Sequence, residues 1–138
     1  MKLTRRDALA MGLGATVVAM LPMRLSAAAD DAIMAYTGGA EAGEGDITLT
    51  APEIAENGNT VPIGVAAPGA VEIMVLALAN PSPDVALFKF GPAAGAQAAK
   101  TRIRLAGTQD VVAIAKMPDG SFIKTSQSVK VTIGGCGG

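Results

Sequence analysis

The chain has 138 residues with 11 basic and 12 acidic side chains, a formal net charge of −1, and 50% of its residues are hydrophobic. It contains one cysteine, no histidine and no tryptophan, which rules out a His/Cys cluster for zinc, haem or copper and a Ser-His or Cys-His catalytic pair. This composition favours a protein that is not an enzyme by itself, and it argues against nucleic acid binding, which needs basic patches and stacking aromatic residues.

Residues 1–29 are typical of a cleaved export signal. The head contains the pair Arg5-Arg6 and is followed by an apolar stretch over 8–21, which is shorter than the roughly 20 residues of a membrane-spanning helix. Ala27-Ala28-Ala29 is a small-residue cleavage site. The head Thr4-Arg5-Arg6-Asp7-Ala8-Leu9 resembles a twin-arginine signal, so we predict export to the bacterial periplasm and no membrane anchor in the mature form.

Residues 30–46 are predicted to be a lead-in to the folded domain. Asp30 or Asp31 is suited to cap a short helix over Ala32–Tyr36, which Thr37-Gly38-Gly39 would end. The glycine-rich and acidic residues 41–46 then indicate a loop.

Residues 47–133 consist of short segments in which apolar and polar residues alternate, separated by turn residues. About seven strands with turns every 8–12 residues indicate an all-β protein, an antiparallel β-sandwich. Since aromatic residues are only 3% of the chain, we expect Val, Ile, Leu, Met and Ala to fill the core. The predicted strands are Ile47–Thr50, Val61–Val65, Val71–Ala79, Val85–Phe90, Lys100–Leu105, Val111–Met117 and a last strand through Phe122 and Ser128–Ile133.

Three basic residues, Lys100, Arg102 and Arg104, alternate with apolar or small residues along one predicted strand. Such a stripe is more typical of a solvated strand face. The alternative interpretation is a surface that guides an anion or an acidic partner.

The chain ends in Gly134-Gly135-Cys136-Gly137-Gly138, so two glycines flank the only cysteine on each side. Because glycine has no side chain to pack and chain ends order poorly, residues 134–138 are predicted to be a flexible arm. Fully extended, the arm would carry the thiol roughly 10 Å beyond the last strand. The thiol could be a covalent attachment site, form an intermolecular disulfide, or have no role.

These features resemble the SoxY family, the sulfur-carrier subunits of the bacterial Sox system of thiosulfate oxidation. The resemblance covers the whole mature chain and rests on the terminal pentapeptide, on residues 47–62 with Pro-Glu-Ile-Ala-Glu-Asn-Gly, and on the strand Ile73–Ala79 followed by Asn80-Pro81. It implies an immunoglobulin-like sandwich over 47–133 that pairs with a SoxZ-like subunit as a heterodimer. It also implies a carrier without cofactor or metal.

The chemistry that the resemblance implies centres on Cys136. A c-type cytochrome would join thiosulfate to its thiol as an S-thiosulfonate, a hydrolase would release sulfate, and a sulfur dehydrogenase or another acceptor would take the remaining sulfane sulfur. Gly134, Gly135, Gly137 and Gly138 would be the flexible arm. A thiol with an ordinary pKa near ~8.5 is mostly protonated at neutral pH, so activation should come from a partner. The alternative is a structural subunit whose Cys136 only forms an intermolecular disulfide.

Overall fold

A computed structural model of the chain describes residues 23–135. The basic head and apolar stretch of the predicted export signal, as well as Cys136, Gly137 and Gly138, lie outside the described residues. Within them the structure contains one helix and nine strands: α1 (Met23–Thr37), β1 (Ala42–Gly43), β2 (Thr48–Thr50), β3 (Ile54–Asn57), β4 (Val61–Ala66), β5 (Glu72–Ala77), β6 (Asp84–Lys89), β7 (Ala98–Ile103), β8 (Gln109–Lys116) and β9 (Phe122–Ile133).

The strands form two sheets, and the predicted all-β sandwich is confirmed. The larger sheet has the order β1-β9-β8-β5-β6, with β3 also paired to β9, and the smaller sheet has the order β2-β4-β7. β1 and β3 run parallel to opposite ends of β9, while the other pairs are antiparallel. The two strands that the sequence pattern missed are β1 and β3, which have only two and four residues and owe their pairing to β9.

The main core lies between the two sheets and is aliphatic, as predicted. Alternate residues of β4, β5 and β8 point into it, and each fully buried Val, Leu or Ile contributes about 1.5–3 kcal/mol relative to exposure. The largest fully buried side chains are Ile73, Leu76, Leu105, Ile114, Val61, Val75, Val111 and Val129.

A second apolar cluster lies on the outer face of the larger sheet, beneath α1. Leu76, Val112, Ile114 and Phe122 are buried there, and partly buried residues of the helix pack against them. The Tyr36 ring meets Phe122 edge to face, with ring centroids 5.6 Å apart. Because α1 covers their outer face, β5 and β8 are apolar on both sides, which explains their nearly continuous apolar runs.

The helix ends where the sequence predicts and starts elsewhere. Gly38 and Gly39 follow it with φ values of 68° and 92°, and the Gly38 N–H donates to the Met34 carbonyl at 2.8 Å. The prediction that Asp30 or Asp31 caps the helix is wrong, because α1 already contains both residues. The predicted cleavage site at residues 27–29 also lies within α1. Among residues 23–135, no helix is long and apolar enough to cross a membrane.

Candidate functional site

The last strand delivers the cysteine-bearing tail to one end of the sandwich. β9 pairs with β8 as far as Val129 and with β3 through Ile133. The Val131 N–H donates to the Thr108 hydroxyl at 3.0 Å, which joins the end of β9 to the segment before β8. The point from which the tail leaves is therefore held on both sides.

Three backbone segments meet where β9 ends, and hydrogen bonds link them in series. The Gly58 N–H donates to the Ile133 carbonyl at 2.7 Å, and the Leu105 N–H donates to the Gly58 carbonyl at 2.7 Å. The Gly135 N–H then donates to the Leu105 carbonyl at 2.8 Å. The turn between β3 and β4, the segment after β7 and the first residues of the tail thus form one structure, which we call the glycine clasp (Gly58, Gly134 and Gly135).

The clasp depends on the small size of glycine. A methyl group built on Gly135 would lie 2.6 Å from Cγ of Arg104, and one on Gly58 would lie 2.8 Å from the Gly135 nitrogen. A methyl group on Gly134 would overlap the Ala106 carbonyl oxygen. None of the three glycines has a positive φ, so the requirement is close approach of the backbones.

Gly134 and Gly135 therefore differ from the free arm that the sequence suggests. Gly135 is buried, and its amide is bonded to the domain. The lack of a side chain, which the sequence analysis took as a source of flexibility, here allows two backbones to touch. The other arm residues, Gly137 and Gly138, and the attachment residue Cys136 lie beyond the residues that the structure describes.

A buried polar pair, Asn80 and Gln109, holds the segment on which the tail docks. The Asn80 side-chain oxygen accepts from the Ala106 N–H at 2.9 Å and from Gln109 Nε2 at 2.8 Å. Its Nδ2 donates to the Arg104 carbonyl at 2.8 Å, and Gln109 Nε2 also reaches the Gly107 carbonyl at 3.0 Å. Sequence reasoning assigned both residues to turns. Their burial, 3% and 7% exposed, follows from tertiary contacts that no local pattern signals.

The predicted basic stripe is divided by the fold. Lys100 and Arg102 are exposed on β7 and line an open groove of about 690 Å³ on the outer face of the smaller sheet. Arg104 lies past the end of β7, where its side-chain stem passes over Gly135. The stripe thus supplies two different surfaces, and only Arg104 belongs to the surroundings of the tail.

Two titratable groups among residues 23–135 have clearly shifted pKa values, and both lie outside the clasp. Burial, with a smaller effect of the Glu72 carboxylate, raises the pKa of the Tyr36 hydroxyl well above its usual range. Hydrogen bonds from Ser121 lower the pKa of the exposed Asp119 carboxyl. In the same part of the chain, no group of three or more Cys, His, Asp or Glu residues is placed to hold a metal ion.

Comparison with known proteins connects this site to a family. A model of the family described as "Sulfur oxidation protein SoxY" matches residues 33–136. The solved structure of the sulfur carrier protein SoxY from Chlorobium limicola f thiosulfatophilum is 39% identical with a TM-score of 0.67, and the alignment covers 78% of this chain and 98% of that chain. The sequence comparison finds no match among curated proteins.

A more distant similarity concerns the fold alone. A superoxide reductase (neelaredoxin) from Ignicoccus hospitalis has a TM-score of 0.55 at 14% identity, over 63% of this chain and 80% of that chain. The SoxY match is of another order, because it spans the sandwich and extends through the clasp to the only cysteine. Together with the 39% identical Chlorobium protein, it confirms the resemblance found in the sequence: this chain belongs to the SoxY family of sulfur oxidation proteins.

Proposed function

We propose that this chain is a sulfur carrier of bacterial thiosulfate oxidation and that the thiol of Cys136 is its covalent attachment site. The observation that carries the proposal is the family match, which extends to residue 136 and so includes the single cysteine of the chain. The clasp supports it. Gly135 is hydrogen-bonded to the domain and Cys136 is the next residue, so the domain anchors the backbone next to the thiol.

Loading forms a bond between Cys136 Sγ and the sulfane sulfur of thiosulfate. The thiol loses its proton, and two electrons pass to a c-type cytochrome, which is the oxidant. The product is an S-thiosulfonate with one negative charge. Hydrolysis by a second partner adds water to the sulfonyl sulfur, releases sulfate and two protons, and leaves a persulfide anion on Cys136. A sulfur dehydrogenase or another acceptor then takes the remaining sulfane sulfur.

The proposed division of labour follows from the residues of the chain. With no histidine, the chain has no ordinary general base near neutral pH, so the partner enzymes supply the acid–base and redox chemistry. The proposal therefore includes a carrier that needs no cofactor and that pairs with a SoxZ-like subunit as a heterodimer. It also includes periplasmic location, with export by the twin-arginine signal at residues 1–29.

Peptide mass spectrometry tests the attachment site. The protein is purified without reductant after turnover with thiosulfate and the partner enzymes. We expect the peptide ending at Gly138 to carry thiosulfonate and sulfane additions that a reductant removes, whereas Cys136→Ser should carry none. The matched control combines Cys136→Ser with Ser126→Cys, which keeps a single thiol but moves it to an exposed position of β9. We expect that thiol to remain unmodified.

Two results would overturn the proposal. One is retained thiosulfate oxidation in the Cys136→Ser protein. The other is a tail thiol that is always bare, or always cross-linked, whether or not thiosulfate is present. Permanent cross-linking, visible on a non-reducing gel, would favour the structural subunit with an intermolecular disulfide. A disulfide-linked dimer that thiosulfate and the partner enzymes convert to loaded monomer supports the carrier.

A further inference from the structure

The root of the tail lies beneath an arginine side chain. A methyl group built on Gly135 would be 2.6 Å from Cγ of Arg104, so the arginine stem crosses directly over the Gly135 backbone. Only a methylene and the guanidinium follow Cγ in the side chain. The next Cα along the tail, that of Cys136, is about 3.8 Å from the Cα of Gly135. The guanidinium and the cysteine thus branch from the same corner of the domain.

The backbone on both sides of this contact is held in place. The Arg104 carbonyl accepts a hydrogen bond from Asn80 Nδ2 at 2.8 Å, and the neighbouring Ile103 and Leu105 are buried in the core. Gly135 is bonded to the Leu105 carbonyl. Arg104 is exposed as a residue, so its charged end is available to solvent while its main chain is anchored. This combination suits a residue that orients a group attached to the tail.

The chemistry of the carried group matches an arginine. The thiosulfonate ends in a sulfonate, and thiosulfate is also an anion. A guanidinium offers planar, paired N–H donors to an oxyanion and stays charged at every physiological pH. We propose that Arg104 is a positioning residue that attracts anions to Cys136 and holds the sulfonate end of the carried group against the domain. The part concerning the carried group rests on the proposed function.

The sequence contains a matched control two positions earlier. Arg102 has the same charge and is also exposed, but it lines the groove on the smaller sheet and its guanidinium contacts the Thr60 hydroxyl at 3.4 Å. If the effect of Arg104 came only from net charge, removal of Arg102 would have the same consequence. If position matters, only Arg104 should affect the thiol.

The experiment measures the reaction rate of the thiol with two disulfide reagents, dianionic dithiobis(nitrobenzoate) and neutral dipyridyl disulfide. Since the chain has one cysteine, the rate belongs to Cys136. Arg104→Gln should lower the ratio of the anionic to the neutral rate about 3- to 10-fold at low ionic strength, as expected for one charge facing two within roughly 7 Å in water. High salt should shrink the difference. Arg104→Lys should retain most of the ratio, and Arg102→Gln should change it less than 2-fold.

Three outcomes would overturn the proposal: an unchanged ratio in Arg104→Gln, an equal change of both rates, or the same change in Arg102→Gln. An equal change of both rates would mean that the substitution alters only access to the thiol. The assay contains no thiosulfate and no partner enzyme, so its result is separate from the attachment test. An unchanged ratio together with a loaded tail peptide would leave the proposed function standing without Arg104.

Discussion

Asn80 is the residue whose loss should test the tail-docking architecture most directly. Its side chain makes three hydrogen bonds, two as acceptor from Ala106 and Gln109 and one as donor to the Arg104 carbonyl. All lie beneath the segment that accepts the Gly135 N–H. Asn80→Ala would therefore leave two backbone groups without their side-chain partner and would loosen the surface on which the tail is docked.

The expected magnitude follows from burial. Asn80 is 3% exposed, and a buried donor or acceptor left without a partner costs about 1–3 kcal/mol. With two such groups, and with water able to reach part of the space vacated, we expect the free energy of unfolding to fall by about 3 kcal/mol. For a domain of this size that corresponds to a decrease in Tm of about 12–20 °C.

Urea unfolding of the wild-type protein and two variants measures this loss. Asn57→Ala is the matched control, because Asn57 is exposed and its side chain accepts only the local Asn59 N–H at 3.0 Å among the hydrogen bonds described. It should lose about 0.5 kcal/mol or less. Hydrogen exchange at the Gly135 amide should also accelerate in Asn80→Ala. Losses within about 1 kcal/mol of each other in the two variants would refute the reasoning.

Two further substitutions separate close packing from chance contact. Gly58→Ala should destabilise the protein by about 2–4 kcal/mol through overpacking against the Leu105 carbonyl; Gly107→Ala, with no atom within 4 Å of the added carbon, is its control in chemical denaturation, and equal stability of the two variants would contradict the clasp. Tyr36→Phe removes a buried hydroxyl that has no hydrogen-bond partner among residues 23–135, so thermal unfolding should show unchanged stability or a gain of up to about 1 kcal/mol. Because the folded-state pKa of Tyr36 is raised, the wild type should lose stability relative to this variant only above about pH 10, and a loss already at neutral pH would show that the hydroxyl is bonded.

The sequence by itself determined the features that depend on local pattern. Period-two alternation between turn residues identified the sandwich, since strand faces and tight turns depend on residues close together in the chain. It also identified the helix end at Gly38 and Gly39, where a left-handed backbone favours glycine. The family resemblance required only the order of residues in the tail and in the segment from 47 to 62.

Tertiary structure decided what the tail glycines do. Gly134 and Gly135 are equally compatible with a free arm and with close backbone packing, because the absence of a side chain permits both. The outcome depends on Gly58 and on the segment after β7, which are far away in sequence. The bonds of Asn80 likewise join residues 24 to 29 positions apart. Contacts at such separation leave no periodic signal, so only the folded chain shows that the root of the tail belongs to the domain.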